Sequence, residues 1–287
     1  MEPSRSGGTA ETAAFMRALH LAIDGDPKIY EDPLAAVLIG PERAMALETA
    51  SLMSQTPELT AFRAIFLVRQ RFAEEELAKA VARGVRQYVI LGAGLDSLAY
   101  RHTDLTGMLR IIEVDHPSTQ LWKRQRLTER GIAIPGNLTF VPLDFEVQDL
   151  AEAMASSPFQ SADPAFFSWL GVTQYLTEGA VFKTLRYVAS STAAGGEIVF
   201  QIVLPPSTLS EEDRAVIAAA SAHTGQKGEP WRSFFEPKAL ETRLRAMGFA
   251  DVHHLTMAEA STRYLRGRTD GLWLPNAFEL ITARVGG

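Results

Sequence analysis

Two glycines, Gly92 and Gly94, are the first candidates for a ligand-binding site in this sequence. They follow the apolar run 87–91. Glycine accepts positive φ and lets a backbone approach a ligand where a Cβ would interfere. In open parallel sheets, ligands bind beyond the carboxyl ends of the strands. We therefore expect this turn, including Ala93, to bind a ligand, although a tight turn needed only for packing would look the same.

An acidic residue, Asp115, lies 21 residues beyond Gly94 and ends the second apolar run, 110–114. In nucleotide-binding sheets, a carboxylate about 20 residues after the glycines accepts hydrogen bonds from the ribose. The alternative is that Asp115 caps a helix starting at His116 and Pro117, since proline is preferred in a first turn. We expect the ribose role for Asp115, with His116 beside it in the same site.

Asp96 and Ser97 bear on which nucleotide this turn would bind. A dinucleotide usually requires a third glycine at the position of Ser97, so that its pyrophosphate can lie on a helix N-terminus. An anionic Asp96 would repel a pyrophosphate, whereas a nucleoside carrying a cationic sulfonium meets no such conflict. The turn favours S-adenosylmethionine as cofactor, and an NAD(P)-dependent oxidoreductase is the alternative with the same fold.

A third strand candidate, 138–142, is followed by Leu143, Asp144 and Phe145. We expect Asp144 to accept a hydrogen bond from the adenine amino group, with Leu143 or Phe145 against the ring face. Asp is also a common helix cap, so Asp144 could instead begin a helix over 148–154.

Arg69 lies within an apolar stripe at helical spacing in the segment 62–77. A guanidinium on such a face is costly unless it meets a carboxylate. The methionyl carboxylate of the cofactor is one candidate partner, and an internal Asp or Glu is the other. Arg71 points elsewhere and is expected to pair with Glu75, four residues on.

These side chains need a sheet to bring them together. From about residue 86, short β-branched runs alternate with helical patterns over 118–130, 178–191 and 237–247, which is typical of βαβ units. The fold class predicted is α/β, with a Rossmann-like, seven-stranded, mostly parallel sheet flanked by helices and an N-terminal helical lid. The predicted strands are 87–91, 110–114, 138–142, 165–170, 197–204, 252–255 and 277–285.

The predicted domain organisation is a flexible N-terminus over 1–14 and a single domain over 15–287. Within that domain, 15–83 would form the helical lid and 84–287 the core, with a cap insertion over 205–236. No low-complexity linker separates lid from core, so the two should pack together.

Composition limits the partners. A formal net charge of −6 without a basic run makes nucleic acid an unexpected partner. The apolar runs are too short for a membrane span and no export leader begins the chain, so we expect a cytoplasmic protein without a membrane partner. The chain has no cysteine, which excludes disulfides, thiolate metal ligands and cysteine nucleophiles. The oligomeric state is left open.

Several motifs resemble the leucine carboxyl methyltransferase superfamily, and in particular its bacterial branch of small-molecule O-methyltransferases of secondary metabolism. The resemblance implies a class I methyltransferase fold that binds S-adenosylmethionine through Arg69, Gly92, Asp115 and Asp144. The matching motifs are Arg69-x-Arg71-Phe72, residues 84–101, Glu113-Val-Asp-His-Pro117 with Lys123, Pro142-Leu-Asp144, and residues 169–176.

One position departs from the family pattern. Many members carry a cofactor-contacting Glu where this chain has Leu170, so we expect backbone carbonyls or Asp96 to hold the amino end of the cofactor. The chain also departs from the eukaryotic pattern, which argues against a protein C-terminal leucine as the acceptor.

Methyl transfer from a sulfonium is an in-line displacement that requires alignment and exclusion of water, and neither a metal nor a protein nucleophile. None of the histidines has the spacing of a general base, which favours a carboxylate or an acidic phenol on a small-molecule acceptor. We expect the acceptor to lie against the aromatic residues of 205–236, or these to form the core of a lid, with Tyr175 as the candidate catalytic contact. An inactive S-adenosylmethionine-binding protein is the remaining alternative.

Overall fold

The computed structural model describes residues 8–40, 45, 47, 56–105, 107–226 and 228–287. Seven strands form one sheet. They are β1 (Gln87–Leu91), β2 (Arg110–Asp115), β3 (Leu138–Pro142), β4 (Ala165–Trp169), β5 (Glu197–Val203), β6 (Phe249–Thr256) and β7 (Phe278–Val285).

The strand order is β3-β2-β1-β4-β5-β7-β6. Neighbouring strands are parallel from β3 through β5, and β7 is antiparallel to both β5 and β6. The chain runs outward from β1 to β3 and then returns to place β4 on the other side of β1. Ligands of such sheets bind where the strand order reverses. A ligand site is therefore expected at the carboxyl ends of β1 and β4.

This architecture confirms the predicted fold class, and the strand bounds differ little from those expected. β6 is the exception, because it starts three residues earlier than predicted, at Phe249. It is an edge strand whose exposed and buried positions do not alternate regularly, so its sequence lacks the period of two that identifies a strand. Pairing with β7 holds it in the sheet.

Helices flank both faces of the sheet. The helices are α1 (Gly8–Ile23), α2 (Ala35–Leu38), α3 (Pro57–Ala82), α4 (Leu98–Arg101), α5 (Pro117–Glu129), α6 (Leu150–Ala155), α7 (Glu178–Ser191), α8 (Glu211–Gly225), α9 (Pro237–Ala246) and α10 (Met257–Tyr264). Short 3₁₀ turns lie at Thr103–Leu105, Thr173–Tyr175 and Pro206–Thr208. No helix of the described ranges is long and apolar enough to cross a membrane.

Helices lie within two of the predicted segments, whose domain bounds stay predictions. The segment 1–14, expected to be flexible, is helical from Gly8 onward, and residues 1–7 lie outside the described residues. Ala14 is buried against the core, so this end of α1 has packing to stabilise it. The segment 205–236, predicted as a cap insertion, contains α8. Ser210 caps this helix, and its first turn carries three acidic residues.

Successive side chains of each strand pack alternately into two apolar cores, one on each face of the sheet. Tyr88, Ile90 and Phe166 face the core shared with α1 and α3. Val89 and Phe167 face the core shared with α6, α7 and α9. This alternation is the expected consequence of the two-residue period of a strand.

Buried ion pairs hold the N-terminal helices together, and a hydrogen bond from Arg17 ties α1 to the turn after β1. Arg17 on α1 pairs with Asp32 at 2.8 Å and donates to the Leu95 carbonyl oxygen at 2.6 Å. Arg63 on α3 donates to both carboxylate oxygens of Asp24 at 2.7 and 2.8 Å. Breaking one partner of such a pair is costly because the other charge stays buried, so α1, α3 and the segment 24–32 are held together. The bond from Arg17 to the Leu95 carbonyl oxygen holds α1 against the turn after β1.

Candidate functional site

A cavity of about 720 Å³ lies beyond the carboxyl ends of β1, β2, β3 and β4. All ten candidate residues from the sequence line it. α1, α3, the turn after β4 and the 205–236 insertion supply further walls. A volume of this size suits a small-molecule or cofactor site.

The turn after β1 requires glycine at two positions. Gly92 has φ +67°, and a Cβ there would overlap the Val172 side chain. Gly94 has φ +49°, and a Cβ there would lie 3.0 Å from the Ala10 Cβ on α1. The Gly92 amide donates to the Val114 carbonyl oxygen at 2.7 Å, which fixes the turn to β2. The backbone of 92–94, including Ala93, therefore forms a close wall of the cavity.

Asp115 is held by backbone donors at the end of β2. One carboxylate oxygen accepts from the Gly94 amide and the other from the His116 amide at 2.6 Å. Burial raises the pKa of Asp115, and these two hydrogen bonds oppose the rise. The cap of α5 is the His116 side chain, which accepts from the Ser118 amide. Asp115 therefore does not cap that helix, and its ribose role stays a prediction.

Asp96 is buried and already engaged by protein groups. Gln70 Nε2 donates to one carboxylate oxygen at 2.7 Å, and the Leu98 amide donates to the other at 2.8 Å. These contacts orient the carboxylate at the start of α4. Each carboxylate oxygen can still accept one further hydrogen bond. The contact between Asp96 and the amino end of the cofactor therefore stays a prediction.

Asp144 and Phe145 line the cavity just after the carboxyl end of β3. Asp144 accepts from the Glu146 amide at 2.9 Å and lies 3.9 Å from His116 Nε2. It does not cap the following helix, because Asp149 does so with a 2.7 Å bond to the Ala151 amide. The Phe145 ring packs against Trp169, with 6.1 Å between ring centroids. The adenine contacts assigned to both residues stay predictions.

Arg69 has no carboxylate within ion-pair distance among the side chains that the structure describes. Its Nη1 donates to Gln201 Oε1 at 3.0 Å, and its guanidinium lies 4.3 Å from the Phe66 ring centroid. Burial lowers the pKa of Arg69 to about 10. Of the two partners considered from sequence, the internal salt bridge is not present in the described ranges, which leaves an anionic ligand as the candidate. Arg71 pairs with Glu75, as expected.

Leu170 lines the cavity at the position where many family members have Glu. The next residue, Gly171, has φ +67°, and a Cβ there would overlap the Arg69 guanidinium. The Arg69 side chain thus occupies space that only a glycine leaves open.

Tyr175 lies in the cavity wall beside Gln174, Glu229 and Trp231. Burial raises the pKa of the Tyr175 phenol; Gln174 and Trp231 act to lower it, and the Glu229 charge raises it further. The Trp231 Nε1 is buried and donates no hydrogen bond to a described residue. Of the insertion aromatics, Trp231 lines the cavity, whereas Phe235 packs edge-on against Phe182 in the core.

Sequence reasoning missed several polar residues of the cavity wall, among them Arg17, Gln70, Gln201 and Glu229. Arg17 carries the same signal as Arg69, a guanidinium among apolar neighbours of a helix, and that signal could have identified it. Gln201 is a polar residue inside an otherwise apolar strand, which is also detectable. Gln70 and Glu229 carry no comparable local signal. All four line the cavity.

Comparisons with known proteins identify the family of this chain. A family model described as leucine carboxyl methyltransferase matches residues 10–189. A Bacillus subtilis (strain 168) protein, "Putative S-adenosyl-L-methionine-dependent methyltransferase YktD", is 30% identical over 315 residues, covering 98% of this chain and 97% of that protein. A similarly named Frankia alni protein is 32% identical over 233 residues, covering 77% of each chain.

The fold is also shared with solved structures. A crystal structure of a "putative methyltransferase" from Thermobifida fusca YX matches with a TM-score of 0.59 and 14% identity, covering 94% of this chain and 98% of that one. At this identity, the match shows the fold alone.

The cavity residues fit S-adenosylmethionine. Arg69 offers an unneutralised guanidinium for a carboxylate, and the turn at Gly92 and Gly94 lets backbone approach a nucleoside without a Cβ in the way. Asp115 retains acceptor capacity beside that turn. When bound, the cofactor supplies an activated methyl group on a sulfonium.

Family membership sets aside the nicotinamide oxidoreductase alternative. The matched region contains the glycine turn, Asp115, Asp144 and Arg69, and the full-length relatives are named for the same cofactor. The chain belongs to the leucine carboxyl methyltransferase family, and its cofactor is S-adenosylmethionine.

Proposed function

We propose that the protein is an O-methyltransferase that transfers the methyl group in line to an oxygen of a small phenol or carboxylic acid, as part of secondary metabolism. The observation that carries this proposal is the continuity of one cavity from the glycine turn to a wall of aromatic residues. We call the part lined by 92–96, 115–116 and 144–145 the cofactor half. The acceptor half is the part lined by Phe62, Phe66, Tyr175, Glu229 and Trp231.

The acceptor half suits an apolar ring. Trp231 packs edge-on against Phe278, with ring centroids 6.2 Å apart, and Phe66 contributes a further ring face. Aromatic walls of this kind favour planar apolar ligands. The acceptor must be small because the cofactor occupies part of the same cavity of about 720 Å³.

Glu229 favours a phenol over a carboxylate. Its Oε2 is buried and accepts no hydrogen bond from the described part of the chain. An unpaired carboxylate oxygen can accept the proton of a phenol, and its charge would repel a second carboxylate. Tyr175, beside Glu229, is placed to hydrogen-bond the acceptor oxygen.

α1 and α3 cover the cavity and are joined to the glycine turn through Arg17 and Gln70. This arrangement supports a closed site in which the acceptor is aligned and water is excluded, which is the main contribution a protein can make to a displacement of this kind.

The proposal is tested by incubating the protein with methyl-labelled S-adenosylmethionine and a panel of phenols and carboxylic acids. We expect label transfer to oxygen of at least one phenol. Tight cofactor binding without transfer to any member of a broad panel would favour the inactive cofactor-binding alternative.

A substitution separates the two acceptor classes. Glu229→Gln keeps the size of the side chain and removes the base, so we expect about a hundredfold lower kcat for a phenol. The same change should leave methylation of a carboxylic acid within about twofold, since a carboxylate is ionised without a base. Equal rates of phenol methylation by both proteins would remove Glu229 from this role.

A further inference from the structure

We infer that two buried glutamines, Gln201 and Gln174, together with Arg69, form the binding site for the α-amino and α-carboxylate groups at the end of the cofactor. Gln201 acts as a positioning residue for Arg69 and as a second donor to the carboxylate. Gln174 supplies an acceptor for the ammonium, in place of the Glu that is missing at Leu170. This inference concerns the cofactor alone and does not depend on the acceptor proposed above.

The orientation of the Gln201 amide follows from its partner. An arginine can only donate hydrogen bonds, so the atom that Arg69 Nη1 contacts at 3.0 Å is the Gln201 oxygen. The amide nitrogen therefore points the other way. Gln201 is 2% exposed, and its Nε2 has no hydrogen-bond partner in the described ranges. A buried unpaired donor is costly, and an incoming acceptor would recover that cost.

Gln174 presents the complementary group. Its Nε2 donates to the Gly171 carbonyl oxygen at 3.2 Å, which assigns Oε1 to the opposite side of the amide. Gln174 is 5% exposed, and this Oε1 has no donor among the residues described. One glutamine thus has a spare donor and the other a spare acceptor, and both belong to the wall of the same cavity.

Gly171 brings the two groups together. Its α-carbon adjoins the Arg69 guanidinium so closely that no side chain would fit between them. Its carbonyl oxygen holds the Gln174 amide. The Arg69 guanidinium and the Gln174 amide therefore both lie against Gly171. An α-amino acid carries its ammonium and carboxylate on a single carbon, so a site for it needs such a juxtaposition.

The Arg69 guanidinium is fixed from three directions before any ligand arrives. Gln201 Oε1 accepts from Nη1, the Phe66 ring lies against the guanidinium, and Gly171 leaves it room. Preorganised donors bind a carboxylate without the entropic cost of ordering a long side chain. Losing the Gln201 contact would free the guanidinium without removing its charge.

Three ligands distinguish the two halves of this site in calorimetric titrations. S-adenosylhomocysteine carries both charged groups, its decarboxylated analogue keeps only the amine, and 5′-methylthioadenosine lacks both. We expect Gln201→Met to weaken S-adenosylhomocysteine about fivefold or more, and to leave the other two ligands within about twofold. Gln174→Met should weaken S-adenosylhomocysteine and the amine analogue by a similar factor, and leave 5′-methylthioadenosine within about twofold.

The variant Gln201→Glu tests whether the charge of Arg69 must be available to the ligand. A carboxylate at this position would neutralise Arg69 internally, so S-adenosylhomocysteine should lose about tenfold or more in affinity. Gln87→Met is the matched control, because Gln87 is equally buried, in β1, and does not line the cavity. It should leave the ratio of S-adenosylhomocysteine to 5′-methylthioadenosine affinity unchanged.

The affinity for 5′-methylthioadenosine reports whether each variant is folded. The inference is overturned if Gln201→Met and Gln174→Met bind S-adenosylhomocysteine as tightly as the unmodified protein. It is equally overturned if they weaken all three ligands by the same factor, since that pattern would mean a general loss of structure. These titrations measure ligand binding and not methyl transfer. The inference about the glutamines can therefore fail independently of the proposed O-methyltransferase activity.

Discussion

The cofactor half and the acceptor half of the cavity are assembled in different ways. In the cofactor half, the wall is made by the ends of β1, β2 and β3, and its contacts are largely backbone hydrogen bonds, such as those to Asp115. In the acceptor half, the wall is made by Phe62 and Phe66 of α3, by Tyr175 and by the 205–236 insertion. Arg69, Gln174 and Gln201, which we assign to the amino-acid end of the cofactor, adjoin this wall, with the Arg69 guanidinium 4.3 Å from the Phe66 ring centroid. The first half is part of the sheet, whereas the second is attached to it.

This difference has a consequence for substitution. A change in the cofactor half should disturb a backbone that the sheet holds rigid, and its effect should appear directly in cofactor affinity. A change in the acceptor half should alter one ligand contact and leave the sheet intact. Affinity for S-adenosylhomocysteine therefore provides one scale on which the two halves can be compared.

The largest loss is expected for Gly92→Val. Both the positive φ of Gly92 and the position of Val172 oppose a β-branched side chain. We expect the turn to move away from the cavity and calorimetric affinity for S-adenosylhomocysteine to fall about a hundredfold. The double variant Gly92→Ala with Val172→Ala removes the overlap but keeps the backbone strain, so it should recover only part of the loss. Full affinity in Gly92→Val would show that the turn does not approach the cofactor.

Arg69→Ala and Asp115→Ala should each weaken S-adenosylhomocysteine at least about tenfold, or about 1.4 kcal/mol. The first removes the one guanidinium that we assign to the carboxylate, and the second removes the ribose acceptor. Arg71→Ala is the matched control for Arg69, because Arg71 lies two residues away on the same helix and pairs with Glu75. Unchanged affinity in both site variants would refute the placement of the cofactor.

The pH dependence of binding should reveal Arg69 directly. Burial lowers the pKa of Arg69 to about 10 in the ligand-free protein, so the guanidinium is charged below that pH and loses its proton above it. Its contribution to carboxylate binding is complete well below pH 10 and declines as the pH rises through and beyond this value. We expect the affinity difference between the unmodified protein and Arg69→Gln to shrink about fivefold between pH 8 and pH 11.

Comparison with Arg69→Gln is needed because the amine of the ligand also titrates in this range, and it does so equally for both proteins. Circular dichroism at each pH checks that the fold is retained. A difference between the two proteins that stays constant up to pH 11 would contradict the lowered pKa of the buried guanidinium.

The same contrast explains what could be predicted from the sequence. Gly92, Gly94 and Asp115 belong to successive strand ends, and their spacing along the chain is set by the length of one strand, helix and strand. That spacing is local information, so the sheet and the grouping of these residues around one cavity were predictable, while their contacts with the cofactor stay predictions. The partners of Arg69 were not, because Gln201 is 132 residues away along the chain.

Local patterns also failed where two roles share one residue type. Asp at the end of a strand is typical both of a helix cap and of a ligand contact. The structure assigns the caps to His116 and Asp149, which frees Asp115 and Asp144 for the cavity. Only the hydrogen bonds of the folded chain separate these roles, since either assignment satisfies the same sequence.

The smallest effect on cofactor affinity is expected for Trp231→Ala, in the acceptor half. Trp231 contacts Phe234 and Phe278 and lines the cavity without bonding to the glycine turn. S-adenosylhomocysteine affinity should therefore change less than about twofold, while the KM for a phenol found in the label-transfer panel should rise about tenfold through loss of aromatic contact. Trp273→Ala is the matched control, since its indole donates to the Pro57 carbonyl oxygen and does not line the cavity. If Trp231→Ala weakened S-adenosylhomocysteine as strongly as Arg69→Ala, the two halves would be one continuous cofactor site, and the acceptor would have to bind elsewhere.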